Sequence, residues 1–253
     1  MSGGRPLTLL HIADCHLGSR PGGGAEEAAF AALIGFALCT RPDALIIAGD
    51  LFDSARVGAA VVEWTAAQLD RLSCQTVVLP GNHDALMPGS PYTAHGFAER
   101  CGAATLLGVP AGAVVRVAGG RIAVWGRPVV DHAPSFQPLA GAPDRPPRGT
   151  VGVIAAHGLF VDHEGEETVR GSPIYRGQIE ASRWQYLALG HWPRYREVHA
   201  DPPAIYAGEL APGARHPGSA VLVTFAAGRA RPRQVITGHS GEWVPASGQA
   251  LES

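Results

Sequence analysis

Leu79-Pro80-Gly81-Asn82-His83-Asp84 closes the apolar run Thr76 to Leu79 with a glycine, an amide, an imidazole and a carboxylate in succession. A short apolar run ended by Pro-Gly reads as a buried strand opening into a polar turn. A single Asn or Asp at such a place is ordinarily a turn residue or a helix N-cap. The same order recurs, however, along the whole chain. Leu7 to Ile12 runs into Asp14-Cys15-His16, and Ala44 to Ala48 into Gly49-Asp50-Leu51-Phe52-Asp53. Val151 to Ala156 ends at His157-Gly158, and Tyr186 to Leu189 at Gly190-His191. In a strand-helix sandwich these strand ends share one edge, so five remote segments bring carboxylates, imidazoles and an amide together. Chance supplies a given tetrapeptide such as Gly-Asn-His-Asp in roughly 0.002 of chains this long, which rules out coincidence for all five.

Working outward, helical patterns over Glu26 to Cys39 and Val57 to Leu72 separate the first three strands. That is β-α-β-α-β, the opening of a sandwich with parallel strands. The second half reads as further short strands: Ala113 to Val117, Ile122 to Trp125, Ile205 to Ala207, Ser219 to Ala226 and Gln234 to Ile236. A second sheet packed on the first follows. Arg127 to Thr150 is rich in proline and predicts a long irregular connection, a rim or a lid. We expect one domain over residues 1–237 and a polar, flexible tail over 238–253.

The composition agrees with a folded chain: 253 residues, 46% hydrophobic and 17% charged, the reverse of a disordered balance. Twenty basic side chains, all arginine, face 22 acidic ones for a net charge of −2. Any polyanion must therefore be held by a local field and not by a basic surface. No apolar run approaches the roughly 18 residues of a membrane span, and Met1 to Leu10 lacks the pattern of a signal peptide. The expectation is a cytoplasmic protein with no membrane contact. Cys15, Cys39, Cys74 and Cys101 are scattered, and reduced thiols are expected.

Taken together, D-x-H, G-D-x-x-D, G-N-H-D, a later H-G and a final G-H resemble the calcineurin-like metallophosphoesterases over about Leu7 to Phe225. Within them, HIADCHLG, AGDLFD, LPGNHD and the segment from Tyr186 to Pro212 most resemble the nuclease subunit of the prokaryotic double-strand-break repair complex. The resemblance implies a four-layer α-β-β-α sandwich of two mixed sheets with two divalent metals at the sheet edge. It implies Asp14, His16 and Asp50 on one metal, and Asp50, Asn82, His157 and His191 on the other, with Asp50 bridging. Such carboxylate, amide and imidazole ligands suit manganese, iron or zinc. Two divalent ions set against Asp14, Asp50 and a bridging hydroxide leave a charge of about +1, which attracts a phosphodiester. Hydroxide bridging the metals would then attack phosphorus in line. The resemblance further implies that His83 stabilises or protonates the leaving oxygen, and Asp84 is assigned to orient its ring. Asp53 is expected to position a histidine or a loop amide.

One position departs from the family pattern. The final motif is normally G-H-x-H, but here it reads Gly190-His191-Trp192-Pro193, and proline offers no lone pair. The first metal is expected to keep three protein ligands and to bind weakly, with water, substrate, His199 or His132 as candidates for the vacancy. An impaired site is the remaining outcome. Arg194 and Arg196 are candidate phosphate contacts. Trp192 and Phe160 read as core edge, with base stacking as the alternative.

The implied activity is phosphodiester hydrolysis, exonuclease-like on DNA or oligonucleotides, single-stranded DNA among them. The alternatives are a small-molecule or cyclic-nucleotide phosphodiesterase and a metal-impaired nucleic-acid or protein-binding relative. Few residues follow Phe225, where the repair nucleases carry a capping domain, so no ATPase partner is expected.

Overall fold

The computed structural model describes residues 5–133, 135–162, 171–214, 216–238 and 241–246. In chain order its elements are β1 (Leu7–Ile12), α1 (Ala25–Thr40), β2 (Ala44–Ala48), α2 (Ala59–Leu69), β3 (Gln75–Leu79), α3 (Pro91–Ala94), α4 (Phe97–Arg100) and β4 (Ala104–Leu106). There follow β5 (Ala113–Val117), β6 (Ile122–Gly126), β7 (Val151–His157), β8 (Leu159–Val161), β9 (Pro173–Tyr175), α5 (Arg176–Ala181) and β10 (Tyr186–Gly190). The chain closes with β11 (Arg196–Ala200), β12 (Pro203–Tyr206), β13 (Ser219–Ala226), β14 (Arg229–Thr237) and β15 (Trp243–Pro245).

Two mixed sheets result. The first has the order β15-β14-β13-β1-β2-β3-β4, and the second β11-β12-β10-β7-β6-β5. From β1 to β4 every pairing is parallel, as are those joining β6, β7, β10 and β12. Parallel strands are covered on both faces, which is why β2 and β10 are apolar along their length and buried at every residue.

Side-chain parity divides the core. Leu9, Ile46, Val77 and Leu79 point between the sheets and meet Val124, Val153, Ala188 and Ile205 of the second sheet. Leu10, Ile12, Leu45, Ile47 and Val78 point outward onto Phe30, Leu33 and Ile34 of α1 and Val62 and Leu69 of α2. The outer face of the second sheet, with Trp125, Ile154, Leu187 and Tyr206, is covered by Leu139, Ile174, Ile179 and Trp184. The four layers are those of the expected sandwich, but the fourth is thin. It consists of α5, the β8–β9 pair and the proline-rich connection, which forms no regular element among the described residues.

A polar tie crosses the interior. The His11 ring on β1 hydrogen-bonds the Tyr186 hydroxyl on β10 through Nδ1 at 2.9 Å. Complete burial pushes the His11 pKa down to about 3, so the ring is neutral.

Several boundaries differ from the sequence reading. The second helix is shorter than Val57 to Leu72 at both ends. The expected tail contains β15, whose Trp243 and Val244 pair with Thr237 and Ile236 of β14. Of that expected tail, residues 239–240 and 247–253 lie outside the described residues. All four cysteines are free. Among the described residues, no helix is long and apolar enough to cross a membrane.

Candidate metal centre

The strand ends do converge, and the backbone is bent sharply to bring this about. Asp14, His16, Asp50 and His191 hold positive φ values of 50°, 48°, 52° and 102°. Such conformations cost a non-glycine residue on the order of 1–3 kcal/mol and persist only where the surroundings impose them. Here the extensions of β1 and β2 are laced together: Cys15 and His16 donate backbone N–H to the Asp50 carbonyl at 2.8 and 3.1 Å, and Leu17 donates to that of Leu51. Gly49 precedes Asp50 with φ +96°, and a Cβ there would collide with the His157 ring. Only glycine lets β2 pass so close to the imidazole.

Four of the expected ligands meet at one point. His157 donates from Nδ1 to the Ala48 carbonyl at 2.9 Å, which fixes the tautomer and turns Nε2 toward the site. Nε2 then lies 2.9 Å from Asn82 Oδ1 and 3.2 Å from Asp50 Oδ2. His191 Nδ1 reaches the same Asn82 oxygen at 2.9 Å. The other oxygen of Asp50 accepts the His83 amide at 2.9 Å, and Asp14 accepts the His191 amide at 3.0 Å.

The electrostatics of this group are those of a buried charge cluster. Burial raises the Asp14 pKa to about 7, with His157 opposing and Asp50 adding to the rise. Asp50 is held well below the carboxylate range, because His157 and the amide of His83 outweigh its burial. For His157 burial pulls downward, but the charge and hydrogen bond of Asp50 leave its pKa at about 10. Asp14, Asp50 and His157 can each place one ligand atom within 4.8 Å of the others.

His16 stands apart from them. It groups with Asp53 and His83, its Nδ1 3.7 Å from Asp53 Oδ1 and its ring edge-on to that of His83 at 4.7 Å. Burial lowers its pKa, and Nδ1 is buried without a hydrogen-bond partner. His83 is exposed, and its Nδ1 donates to the Asp53 carbonyl at 2.8 Å. That bond fixes the orientation of the ring.

The orienting role expected of Asp84 therefore belongs to Asp53. The Asp84 carboxylate is wholly buried and accepts the amides of Phe52 at 3.0 Å and Gly81 at 2.7 Å, together with the Tyr92 hydroxyl. It ties the β2 and β3 turns together instead of touching His83, and burial raises its pKa to about 6. Tyr92 escaped the sequence reading, for nothing near it marks a partner of Asp84 on the far side of the turn.

The candidates for the place of Pro193 are elsewhere. His199 lies on β11 with Nδ1 on the Pro202 carbonyl, and Nε2 is 4.0 Å from Glu180. His132 is exposed in the proline-rich connection. On the rim, Arg196 lies over the Trp192 ring at 5.6 Å and the Phe160 ring at 5.9 Å, and Arg176 over Phe160 at 5.4 Å. Arg194 is exposed. Asp14, His16, Asp53 and His83 share a cleft of about 390 Å³ with Glu209, which the sequence reading missed.

These donors fit divalent ions. Two imidazole nitrogens crowd one amide oxygen, two buried carboxylates share one imidazole, and His16 keeps an orphaned nitrogen. A cation at such a place relieves every one of these mismatches. The class defined is a hydrolytic pocket at the edge of a two-sheet sandwich, able to take a pair of metals. The profile of the calcineurin-like phosphoesterases matches residues 7–241, and the chain belongs to this family of metal-dependent hydrolases.

A 54-residue stretch is 46% identical to the DNA double-strand break repair protein Mre11 of Aeropyrum pernix, covering 19% of this chain and only 13% of that protein. Two solved structures share the fold. One has a TM-score of 0.57 at 16% identity, covering 91% of this chain and 99% of its own. The other, TT1561 of Thermus thermophilus, scores 0.54 at 14% identity, covering 90% and 98%.

Proposed function

We propose that this protein is a two-metal phosphodiesterase acting in an exonuclease-like manner on DNA or oligonucleotides, single-stranded DNA first among them. The observation that carries the reading is the meeting of Asp50, Asn82, His157 and His191 at one point beside Asp14, with His83 lining a cleft together with Asp14 and oriented by the Asp53 carbonyl. Asp14, His16 and Asp50 would hold one ion, and Asp50, Asn82, His157 and His191 the other. The oxygen and imidazole donors suit manganese, with iron or zinc as competitors. Bound there, the ions supply Lewis-acid polarisation of the phosphoryl group and a nucleophile acidified toward neutral pH.

The chain's own groups do the rest. The His83 ring donates to the departing oxygen, whose developing charge it offsets. The Asp53 carbonyl keeps that ring from turning away. Close after the two ligand histidines come Phe160 and Trp192 respectively, and Arg196 and Arg176 lie on their faces. Alternating guanidinium and aromatic planes offer a phosphate clamp and a surface for base stacking, which favours a nucleotide chain over a small monoester. The stretch similar to a protein named for DNA repair points the same way.

The test compares the native chain with His83→Ala, with added Mn²⁺, on bis(4-nitrophenyl) phosphate, single-stranded DNA, duplex DNA, cyclic dinucleotides and an aryl monoester. Metal-dependent cleavage of diesters, highest on single-stranded DNA and reduced about 10²-fold or more in the variant, is the expected result. Equal and negligible rates for both proteins would leave a binding protein in place of an enzyme.

A further inference from the structure

The outer half of the centre is short of one ligand, since Pro193 stands where the family pattern has a histidine. β12 ends at Tyr206 and is followed by Ala207-Gly208-Glu209. This repeats the order of Ala48-Gly49-Asp50 at the end of β2. Glu209 is fastened on both sides to the deficient site. Its amide donates to the Pro193 carbonyl at 3.1 Å, and it bridges in parallel with Ala13, the neighbour of Asp14. The close approach requires Gly208, whose φ is +85°: a Cβ would fall 2.8 Å from the Tyr195 amide nitrogen and 3.0 Å from the Arg194 carbonyl carbon.

The cleft lined by Glu209 calls for a cation. Asp14, Glu26, Asp53 and Glu209 line it with His16 and His83, and no arginine is among the described lining residues. Six buried side-chain atoms lack a hydrogen-bond partner among the described residues, and three of them, His16 Nδ1, Ser19 Oγ and Glu26 Oε2, belong to this lining. Behind it, His216 Nε2 stands 3.5 Å from Glu209 Oε2, the kind of outer partner that orients a ligating carboxylate.

We propose that Glu209 is the remaining protein ligand of the outer metal, taking over at the position where Pro193 has no lone pair to give. The inference rests on the two-metal reading above and goes beyond it. The outer donor set becomes Asp14, His16, Asp50 and Glu209. With three carboxylates and one imidazole it is harder than the family pattern, which favours Mn²⁺ over Zn²⁺ at this half of the centre.

The test counts metal and does not depend on turnover. Native protein, Glu209→Gln and Glu209→Gln/Pro193→His are stripped, titrated with MnCl₂ and ZnCl₂ separately by calorimetry, and assayed for bound metal after dialysis. The native chain is expected to take two Mn²⁺. Glu209→Gln should keep one at native affinity and hold the other at least ~10-fold more weakly. The retained inner ion reports that the variant is folded. Adding Pro193→His should restore the second ion, now with zinc preferred.

Two Mn²⁺ at native affinities in Glu209→Gln would overturn the proposal, and so would a native chain that takes only one. A native chain that binds none brings down the two-metal reading itself, an outcome distinct from either.

Discussion

The two halves of the centre are built to different standards. Around Asp50 the side chains are buried, the His157 tautomer is set by a backbone carbonyl, and Asn82 already receives both histidines at 2.9 Å. Around His16 the groups are less buried, its Nδ1 stands 3.7 Å from Asp53 Oδ1, and unpartnered atoms remain. The inner half lies over the last residues of the central strands, where packing on both faces leaves no freedom. The outer half hangs on the loop from His16 to α1, pinned by the Glu27 carboxylate, which accepts the amides of Gly18 and Gly24 at 2.8 and 2.6 Å. One edge thus carries a preorganised group of donors and beside it a more adaptable one.

Asp50→Asn strikes both halves at once and should do the greatest damage. Both ions are expected to be lost on dialysis and turnover to fall by roughly 10³-fold, checked by metal analysis beside diester hydrolysis. His83→Ala should separate chemistry from binding, lowering kcat by about 10²-fold while bound metal stays unchanged. A loss of metal in that variant would place His83 among the ligands and erase the distinction.

Without metal, the inner half should also reveal itself through pH. The carboxyls of Asp14 and Asp84, raised to about 7 and 6 by burial, and the His157 ring at about 10 bind their protons more tightly folded than unfolded. Such groups lend stability that is fully present below their unfolded pKa and lost as pH rises through the folded value. His11, held down near 3 by burial, opposes this below about pH 6.5, so the Tm of the stripped protein should fall most clearly from about pH 6.5 to about pH 10. Asp50, shifted the opposite way, affects stability only below about pH 4. Bound Mn²⁺ should flatten the slope, since the ion replaces the protons. An equally steep decline with metal present would show that Asp14 and His157 are not its ligands.

Tyr92→Phe removes one donor from the buried Asp84 carboxylate. It should cost about 1–3 kcal/mol of stability, seen by thermal melting, with metal content intact. The smallest effect is expected from Asp53→Ala, where the carbonyl that orients His83 remains. A decrease of about 10-fold in turnover would reflect only the lost carboxylate beside His16.

What the sequence made legible follows from the same contrast. β2 and β10 were readable because burial on both faces forces an unbroken apolar run, and each such run ends in a residue with few other reasons to be there. The four residues that meet at the inner point, Asp50, Asn82, His157 and His191, were singled out in this way. β11 was not, for it is an edge strand with a register shift between Glu197 and His199 and exposed arginine and glutamate at its start. β15, three residues long, has too little pattern to be seen.

The role of Asp84 was misread for a different reason. Adjacency to His83 suggested contact, whereas the turn sends the two side chains in opposite directions. Glu209 carried the strand-glycine-acid order all along, but its relation to Pro193 exists only after folding.

The left-handed turns at Asp14, His16, Asp50 and His191 restrict how this centre can be altered or transplanted. Asparagine tolerates that conformation and makes a fair replacement for aspartate, whereas valine or threonine would disturb the main chain and confuse loss of a donor atom with loss of a bend. Copying only the side chains onto another parallel sheet would send them along the strands and past the pocket. A designer who wants the chemistry must import the corners as well.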